Sequence, residues 1–196
     1  MTTAPLRKTG GAFTFSTVDA TGGTLYNKLI YYLKRGGAAC MWIAKDWQDY
    51  ELLDCGGGEK LERWDRQILV RPDPQAIWDT ERRDRRWKTA NARYSRSSTG
   101  GGHWDKGKLP ESWPIRYKDL TFQVKPMNFK HTGLFPEQAA NWDFAMEQIR
   151  AAGRPIRVLN LFAYTGGATV ACAKAGASVC HVDAAKGMVA WAKENA

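Results

Sequence analysis

The chain of 196 residues is poor in cysteine and histidine, with four cysteines and three histidines. Cys40, Cys55, Cys172 and Cys180 lie far apart and form no Cys-x-x-Cys pair. Cys172 and Cys180 fall in an apolar helix and an apolar strand, so we predict that they are small packing residues of a protein in a reducing compartment. His103 has no neighbours that could share a metal with it, and we expect no bound metal.

Long apolar runs are also absent. No stretch of 18 apolar residues exists, which predicts that the chain has no membrane span. The N-terminus has no continuous apolar segment before a cleavage site, so no signal peptide is predicted. Together these absences predict a cytoplasmic protein that does not act at a membrane.

The charge balance is strongly basic. A hydrophobic content of 43% and a charged content of 25% are typical of a soluble globular protein. The formal net charge of +9 favours a polyanionic partner, nucleic acid first. A basic enzyme with an unrelated substrate would have the same balance, so the charge alone leaves both open.

Changes in composition divide the chain into three segments. Residues 1–40 are predicted to be a poorly ordered extension, with a short helix over 25–34, and Met41 is an in-frame start at which the character of the sequence changes. Residues 41–126 are predicted to be a β-rich subdomain, and residues 127–196 an α/β domain. Whether the first 40 residues belong to the native protein stays open.

Within the β-rich subdomain the pattern predicts three strand regions. Residues 50–54 form a short apolar run that ends at three glycines, 61–71 alternate up to Pro72, and 115–124 alternate about a turn at Lys118-Asp119. A polar stretch, 79–112, lies between them, and a flexible loop is predicted over 97–102.

The last third alternates between helix and strand signals. A helix is predicted over 136–152, with Pro136 at its start and Gly153 after its end. Its apolar residues at helical spacing are predicted to face the core: Trp142, Ala145, Met146 and Ile149. A strand over 156–162, a helix over 168–175, a strand over 177–182 and a helix from 186 follow. This order predicts a parallel β-α-β unit.

The turn after the first of these strands carries the chemistry. It reads Asn-Leu-Phe-Ala-Tyr-Thr-Gly-Gly over 160–167. A dinucleotide site needs Gly-x-Gly-x-x-Gly, whereas this turn has only Gly166-Gly167, and Phe162 and Tyr164 occupy space that a pyrophosphate needs. S-adenosylmethionine has no phosphate and suits an aromatic-lined turn better. Asp183 ends the next strand, where an acid can accept both ribose hydroxyls.

These residues, with His-Thr-Gly-Leu-Phe-Pro-Glu-Gln at 131–138, resemble class I S-adenosylmethionine-dependent methyltransferases. The group that they resemble is the bacterial large-subunit ribosomal RNA methyltransferases and their relatives. In that group a Lys-Thr-Gly-Phe-Phe-x-Asp-Gln-Arg segment precedes the cofactor turn and closes over the cofactor. Here His131, Leu134 and Ala139 replace its lysine, first phenylalanine and arginine. The loss of the arginine puts any charge contact from it in doubt.

The resemblance implies an α/β fold, an incomplete Rossmann-like class I methyltransferase domain after a small β-rich subdomain. It implies S-adenosyl-L-methionine as cofactor and methyl transfer to a base of ribosomal RNA. An Asp-Pro-Pro-type catalytic motif would follow residue 196, so we expect the chain to be an N-terminal part that is inactive alone, with its catalytic residues unknown. The turn and the upstream segment together supply the cofactor-binding residues: Thr132, Gly133, Phe135, Gln138, Asn160, Phe162, Ala163, Tyr164, Thr165, Gly166, Gly167 and Asp183.

A basic segment in the β-rich part predicts contact with RNA. It interleaves arginines with aromatic residues, a combination that suits phosphate contacts and base stacking on looped or single-stranded RNA. A solvated charged loop would look the same. The predicted RNA-binding residues are Arg82, Arg83, Arg85, Arg86, Trp87, Lys88, Arg93 and Arg96.

Two other functions stay open. A nicotinamide-dependent oxidoreductase shares the fold class, although the missing third glycine argues against it. A non-catalytic RNA-binding fragment would keep the basic segment and need no chemistry.

Overall fold

A computed structural model describes residues 12–14, 43–79, 81–98, 100–107 and 109–196. The helix predicted over 25–34, Cys40 and most of the predicted extension lie outside these ranges. The described chain divides into two units. The β-rich unit contains Ala44–Ala139 with Asn195, and the α/β unit contains Ala140–Glu194 with Ala196 and the described residues before Ala44. This division falls later than the predicted boundary at residue 126.

Strand β1 (Ala12–Thr14) belongs to the α/β unit and was not predicted. The β-rich unit follows with seven strands and a short helix in its described part. These are β2 (Tyr50–Gly56), β3 (Glu59–Trp64), β4 (Gln67–Pro72), α1 (Arg86–Thr89), β5 (Ala92–Arg96), β6 (Gly102–Lys106), β7 (Trp113–Tyr117) and β8 (Leu120–Val124).

The β-rich unit has a five-stranded sheet in the order β2-β3-β4-β5-β6 and a separate β7-β8 hairpin. All neighbours are antiparallel except β4 and β5. A parallel pair needs a crossover connection, and residues 73–91 supply it. This crossover contains α1, whose Trp87 packs on Leu61 and Val70 on one face of the sheet.

The prediction of one strand region over 61–71 was wrong. The region 61–71 is a hairpin, because Asp65 adopts a left-handed φ of 56° and makes a two-residue turn between Trp64 and Gln67. Aspartate tolerates this conformation, but no glycine announces it in the sequence. The polar stretch 79–112 holds α1, β5 and β6, elements for which no prediction was made. The turn at Lys118-Asp119 is confirmed by β7 and β8.

A charged group lies inside the β-rich unit. The Glu62 side chain is 0% exposed and the Arg71 side chain is 6% exposed. Arg71 donates from Nε to Glu62 Oε2 over 2.5 Å and from Nη2 to Oε1 over 2.8 Å. Tyr50 donates its hydroxyl to Glu62 Oε1 over 2.9 Å, and the Arg71 guanidinium lies 5.1 Å from the Trp64 ring centroid. The carboxylate is therefore fully hydrogen-bonded although it has no contact with water.

The chain then enters a short 3-10 helix (Pro136–Gln138) that leads into the α/β unit. The remaining elements are α2 (Ala139–Ala151), β9 (Arg157–Leu161), α3 (Gly167–Lys174), β10 (Ser178–Val182) and α4 (Lys186–Asn195). The strands form a parallel sheet in the order β1-β9-β10, and α3 connects β9 to β10. The predicted β-α-β unit is confirmed.

The core of the α/β unit lies on one face of its sheet. Ala145 and Ile149 of α2 pack with Val158 of β9 and Cys172 of α3. The predicted stripe is confirmed, since Trp142, Ala145, Met146 and Ile149 are all buried. The opposite face of the sheet exposes alternate residues of β9 and β10, including Leu159 and Val182.

This exposed face corrects one cysteine prediction. Cys172 is buried, and its burial raises the pKa of the thiol to about 11. Cys180 is exposed, because alternation along β10 directs it to the face opposite the core. In the described parts of the chain no helix combines the length and the apolar character that a bilayer span needs.

Candidate cofactor site and nucleic-acid interface

The turn between β9 and α3 has an unusual backbone. Phe162 and Tyr164 both adopt a φ of 53°, in the left-handed region that non-glycine residues seldom occupy, and Gly166 has a φ of 89°. For Phe162 and Tyr164 this conformation costs on the order of 1–3 kcal/mol each, and such non-glycine residues cluster at ligand sites. The Phe162 side chain is 83% exposed. The strain therefore holds an aromatic side chain out at the carboxyl end of a parallel strand.

Hydrogen bonds to the end of β10 hold this turn in place. Ala163 donates its backbone N–H to the carbonyl of Val182 over 3.0 Å, and Tyr164 donates its N–H to Asp183 Oδ2 over 2.9 Å. Inside the turn, Gly166 donates to the carbonyl of Ala163. The strained residues are thus fixed by contacts from the neighbouring strand.

Asp183 joins two loops through its carboxylate. Oδ2 accepts from Tyr164, and Oδ1 accepts from the backbone N–H of Ala185 over 2.9 Å. A carboxylate has about four acceptor positions, so two remain after these bonds. The carboxylate is therefore fixed in orientation and still able to accept hydroxyl groups at the carboxyl end of the sheet.

Asn160 is held inside the unit. Its Nδ2 donates to Thr169 Oγ1 on α3 over 2.9 Å, and Thr169 Oγ1 lies 2.9 Å from His181 Nδ1 on β10. The tautomer of His181 decides which of these two atoms donates. The sequence did not single out Thr169 or His181. The register that pairs Asn160 with His181 brings them together, and only the sheet pairing reveals it.

The segment that resembles the family's closing segment lies in the β-rich unit. Thr132 is fully buried, and its hydroxyl has no hydrogen-bond partner within the described residues. Gly133 is buried with a φ of 97°. Phe135 is 39% exposed, and its ring centroid lies 5.4 Å from that of His131. Gln138 is half-buried in the 3-10 helix.

The predicted RNA-binding segment contains one residue that the structure assigns elsewhere. Trp87 is only 5% exposed, and its Nε1 donates to Asp54 Oδ2 over 2.7 Å. The Arg82 guanidinium lies 4.6 Å from its ring centroid. The prediction that Trp87 stacks on a base was wrong, because the ring completes the core beneath α1.

Most arginines of this segment are already paired with carboxylates. Arg82 and Arg93 both bind Glu59, Arg83 binds Glu81, and Arg86 binds Asp84. The predicted basic residues that are exposed and have no ion pair with a described carboxylate are Arg85, Lys88 and Arg96. The structure therefore leaves fewer cations for phosphate contacts than the sequence suggested.

Three glycines of the α/β unit give a graded test of the cofactor turn. Gly166 has a left-handed φ of 89°, and a Cβ added to it would lie 3.1 Å from Ala192 Cβ. Gly176 also has a left-handed φ, 97°, but an added Cβ would have no atom within 4 Å. Gly187 has neither a left-handed φ nor a neighbour within 4 Å of an added Cβ. We expect Gly176→Ala to lower the free energy of unfolding by about 1–2 kcal/mol, the cost of left-handed strain. Gly166→Ala should lower it by more, because the added methyl group also crowds Ala192. Gly187→Ala should be neutral or stabilising by up to about 1 kcal/mol.

Urea unfolding of the three variants measures this order. Equal stability of the Gly166 and Gly187 variants would contradict the described turn, since both substitutions add the same methyl group to the same unit.

Comparisons with known proteins identify the family. A family model described as S-adenosylmethionine-dependent methyltransferase matches residues 66–196. A SAM-dependent methyltransferase structure from Agrobacterium tumefaciens is 42% identical, with a TM-score of 0.72, over 76% of this chain and 48% of that chain. The structure of SMU.776 complexed with SAH covers 77% of this chain and 42% of its own, with a TM-score of 0.56; at 21% identity the likeness shows the fold alone.

The name of one curated relative states the substrate class of that relative. The ribosomal RNA large subunit methyltransferase K/L of Magnetococcus marinus is 38% identical over 82 residues, which are 41% of this chain and 11% of the relative. The chain thus spans about half of the solved relative and a small part of the curated one. On the match over residues 66–196, the chain belongs to the S-adenosylmethionine-dependent methyltransferase family.

Proposed function

We propose that the α/β unit binds S-adenosylmethionine and that the protein transfers its methyl group to a base of ribosomal RNA. The observation that carries the proposal is the strained turn 162–166, locked by Asp183 at the end of the adjacent strand. In open parallel sheets, ligands bind at the carboxyl ends of the strands. The turn and the acid occupy that edge.

The residues of this edge fit the cofactor's chemistry. The remaining acceptor positions of Asp183 suit the two ribose hydroxyls, which are donors. The exposed Phe162 ring offers an apolar surface, and the pair Gly166-Gly167 offers backbone without side chains. The contribution of Ala163, Tyr164 and Thr165 is through the backbone of the same turn. Asn160 acts behind it, through Thr169.

The segment at 132–138 is assigned to the cofactor by its resemblance to the family's motif. Thr132, Gly133, Phe135 and Gln138 carry that resemblance.

The reaction is a displacement at carbon. The bond between the methyl group and the sulfonium breaks, and its electron pair stays on sulfur to give S-adenosylhomocysteine. A nitrogen or carbon of the base forms the new bond and loses a proton. The protein's contribution is to align the two reactants, which is worth several kcal/mol when the geometry is near attack, roughly 7–11 at most.

The RNA part of the proposal has separate support. The net charge of +9 favours a polyanion, the exposed cations Arg85, Lys88 and Arg96 can contact phosphates, and the curated relative is named for ribosomal RNA. Arg82, Arg83, Arg86 and Arg93 could contribute only by exchanging their carboxylate partners for phosphates.

Titration calorimetry of the 196-residue chain tests the cofactor. We expect saturable binding of S-adenosylmethionine and S-adenosylhomocysteine and no binding of NAD. Binding of NAD without S-adenosylmethionine would favour the oxidoreductase alternative. Binding of neither would overturn the cofactor assignment. A chain that binds the cofactor but not RNA would be a methyltransferase of another substrate class.

A further inference from the structure

An exposed aromatic residue of the β-rich unit is held in place on the face of the sheet opposite α1. Tyr94 of β5 and Trp104 of β6 are directly paired, with ring centroids 5.5 Å apart. Trp104 Nε1 donates to the carbonyl of Phe129 over 3.0 Å, and the Tyr94 hydroxyl donates to the carbonyl of Asn128 over 3.5 Å. The backbone of this loop is thus fixed on the sheet, whereas the Phe129 side chain is 58% exposed.

Basic residues gather near the loop that carries Phe129, because of the strand register. Arg96 lies two residues beyond Tyr94 and therefore on the same face. Lys60 and Arg71 are paired across β3 and β4. Lys130 follows Phe129 in the loop, and its Nζ donates to the carbonyl of Pro72 over 3.2 Å. Three strands and one loop therefore bring cations to one region.

The cations interact with one another. Partial burial lowers the pKa of Lys130, and the charges of Arg96, Lys60 and Arg71 lower it further, opposed by Asp73. Glu62 neutralises much of the charge of Arg71 and Lys60. Arg96 has no ion pair with a carboxylate of the described chain and is exposed. The region thus has a positive potential with an aromatic ring beside it.

We propose that this Phe129 patch, defined as Arg96, Trp104, Phe129 and Lys130, binds a single-stranded segment of the RNA substrate. The Phe129 ring stacks on a base, and Arg96 and Lys130 contact the flanking phosphates. The proposal rests on the proposed function, since it names a surface for that function's substrate. An exposed aromatic residue in a basic region is the combination that binds single strands with little preference for sequence. A purely acidic protein partner would use the cations but not the ring.

Fluorescence anisotropy of the 196-residue chain with a labelled single-stranded RNA of mixed sequence tests the patch. Phe129→Ala should weaken binding by roughly 5- to 150-fold, the range for one lost stacking contact. It should leave the salt dependence unchanged. Arg96→Gln should lower the slope of log affinity against log salt by about 0.7, the value for one phosphate contact on a single strand.

Two exposed residues serve as matched controls. Ile77→Ala removes an apolar side chain that is 85% exposed, and Arg150→Gln removes a surface cation of α2. Both should bind RNA within about twofold of wild type, as expected for residues that make no phosphate or base contact. Because Phe129 and Arg96 are exposed, we expect their variants to fold as the wild type does. Thermal melts of the variants check this.

The outcomes separate the patch from the function. Wild-type binding that Phe129→Ala and Arg96→Gln leave unchanged would overturn the patch and leave the RNA substrate in place. Loss with Arg96→Gln alone, competed by polyglutamate as well as by RNA, would overturn the stacking role in favour of an acidic partner. A wild-type chain that binds no RNA would overturn the RNA substrate as well as the patch.

Discussion

Replacing Arg71 with methionine is expected to lower the free energy of unfolding by about 3–5 kcal/mol, the cost of leaving a buried charge without its partner. Glu62 is 0% exposed, and Arg71 supplies two of its hydrogen bonds. Without them the carboxylate keeps Tyr50 and the ammonium of Lys60, 3.3 Å away. Urea unfolding at pH 7 measures the loss. The control Arg83→Gln breaks an exposed pair with Glu81 and should cost no more than about 1 kcal/mol.

In Arg71→Met, acid should have the opposite effect on the contribution of Glu62 to the free energy of unfolding. Burial alone would raise the pKa of Glu62, but the charge and hydrogen bonds of Arg71 outweigh it and lower that pKa below its usual 4.5. A carboxylate whose pKa is lower in the folded than in the unfolded state stabilises the fold at pH values above its unfolded-state pKa. This stabilisation is lost as the pH falls through the folded-state pKa.

With methionine at 71, burial prevails and raises the pKa, so protonation now favours the folded state. The difference between variant and wild type should therefore begin to shrink above pH 4.5, where the variant takes up its proton, and shrink further below pH 4.5, where the wild type loses stability. A difference that grows on acidification would contradict this account.

A double variant separates the charge from the packing. Glu62→Leu with Arg71→Met removes both buried charges, and such apolar replacements are often neutral or stabilising. We expect the double variant to recover most of the stability lost in Arg71→Met. No recovery would mean that the shape of the arginine, stacked on Trp64 and bonded to the carbonyl of Lys130, matters more than its charge.

Replacing Asp183 with alanine should abolish measurable binding of S-adenosylmethionine, and Asp183→Asn should weaken it by on the order of 10- to 100-fold, the range for losing a charge-assisted hydrogen bond. The carboxylate accepts from Tyr164 and Ala185 at once. Asparagine offers one acceptor oxygen, so one of these N–H groups loses its partner. Glu147→Gln, an exposed change on α2, is the control and should bind as wild type does.

The two roles of Asp183 can be distinguished with a cofactor analogue. An S-adenosylhomocysteine that lacks a ribose hydroxyl should bind the wild-type chain more weakly than the full product does. In Asp183→Asn this penalty should largely vanish if the carboxylate contacts the ribose. A penalty that is equal in both chains would restrict Asp183 to holding the turn.

The α/β unit could be predicted from the sequence because its signals are local. Strand β9, the turn at 163–167 and Asp183 follow one another within a single β-α-β unit, and each carries its own residue pattern. The left-handed φ of Phe162 and Tyr164 could not be predicted, because no local preference favours it in aromatic residues. It is imposed by hydrogen bonds from β10.

The β-rich unit was harder for the opposite reason. Trp87 sits among arginines in the sequence and looks exposed, but the crossover between parallel strands places it over Leu61 and Val70. Asp65 makes a hairpin turn without glycine. The position of Trp87 depends on partners distant in the chain, which propensity and periodicity do not record, and the turn at Asp65 depends on a left-handed residue that the sequence does not mark. The Phe129 patch was missed likewise, since its residues come from separate elements.

The parallel junction in the five-stranded sheet has a consequence for folding order. Strands β2, β3 and β4 form a meander of local contacts, whereas β5 joins β4 through only two register pairs, Leu69 with Ala92 and Val70 with Arg93. Closing the crossover loop must precede this junction, so the β5-β6 hairpin docks late and opens early. Amide hydrogens of this hairpin should exchange faster than those of β3, and Arg96 and Trp104 travel with it as one cooperative segment.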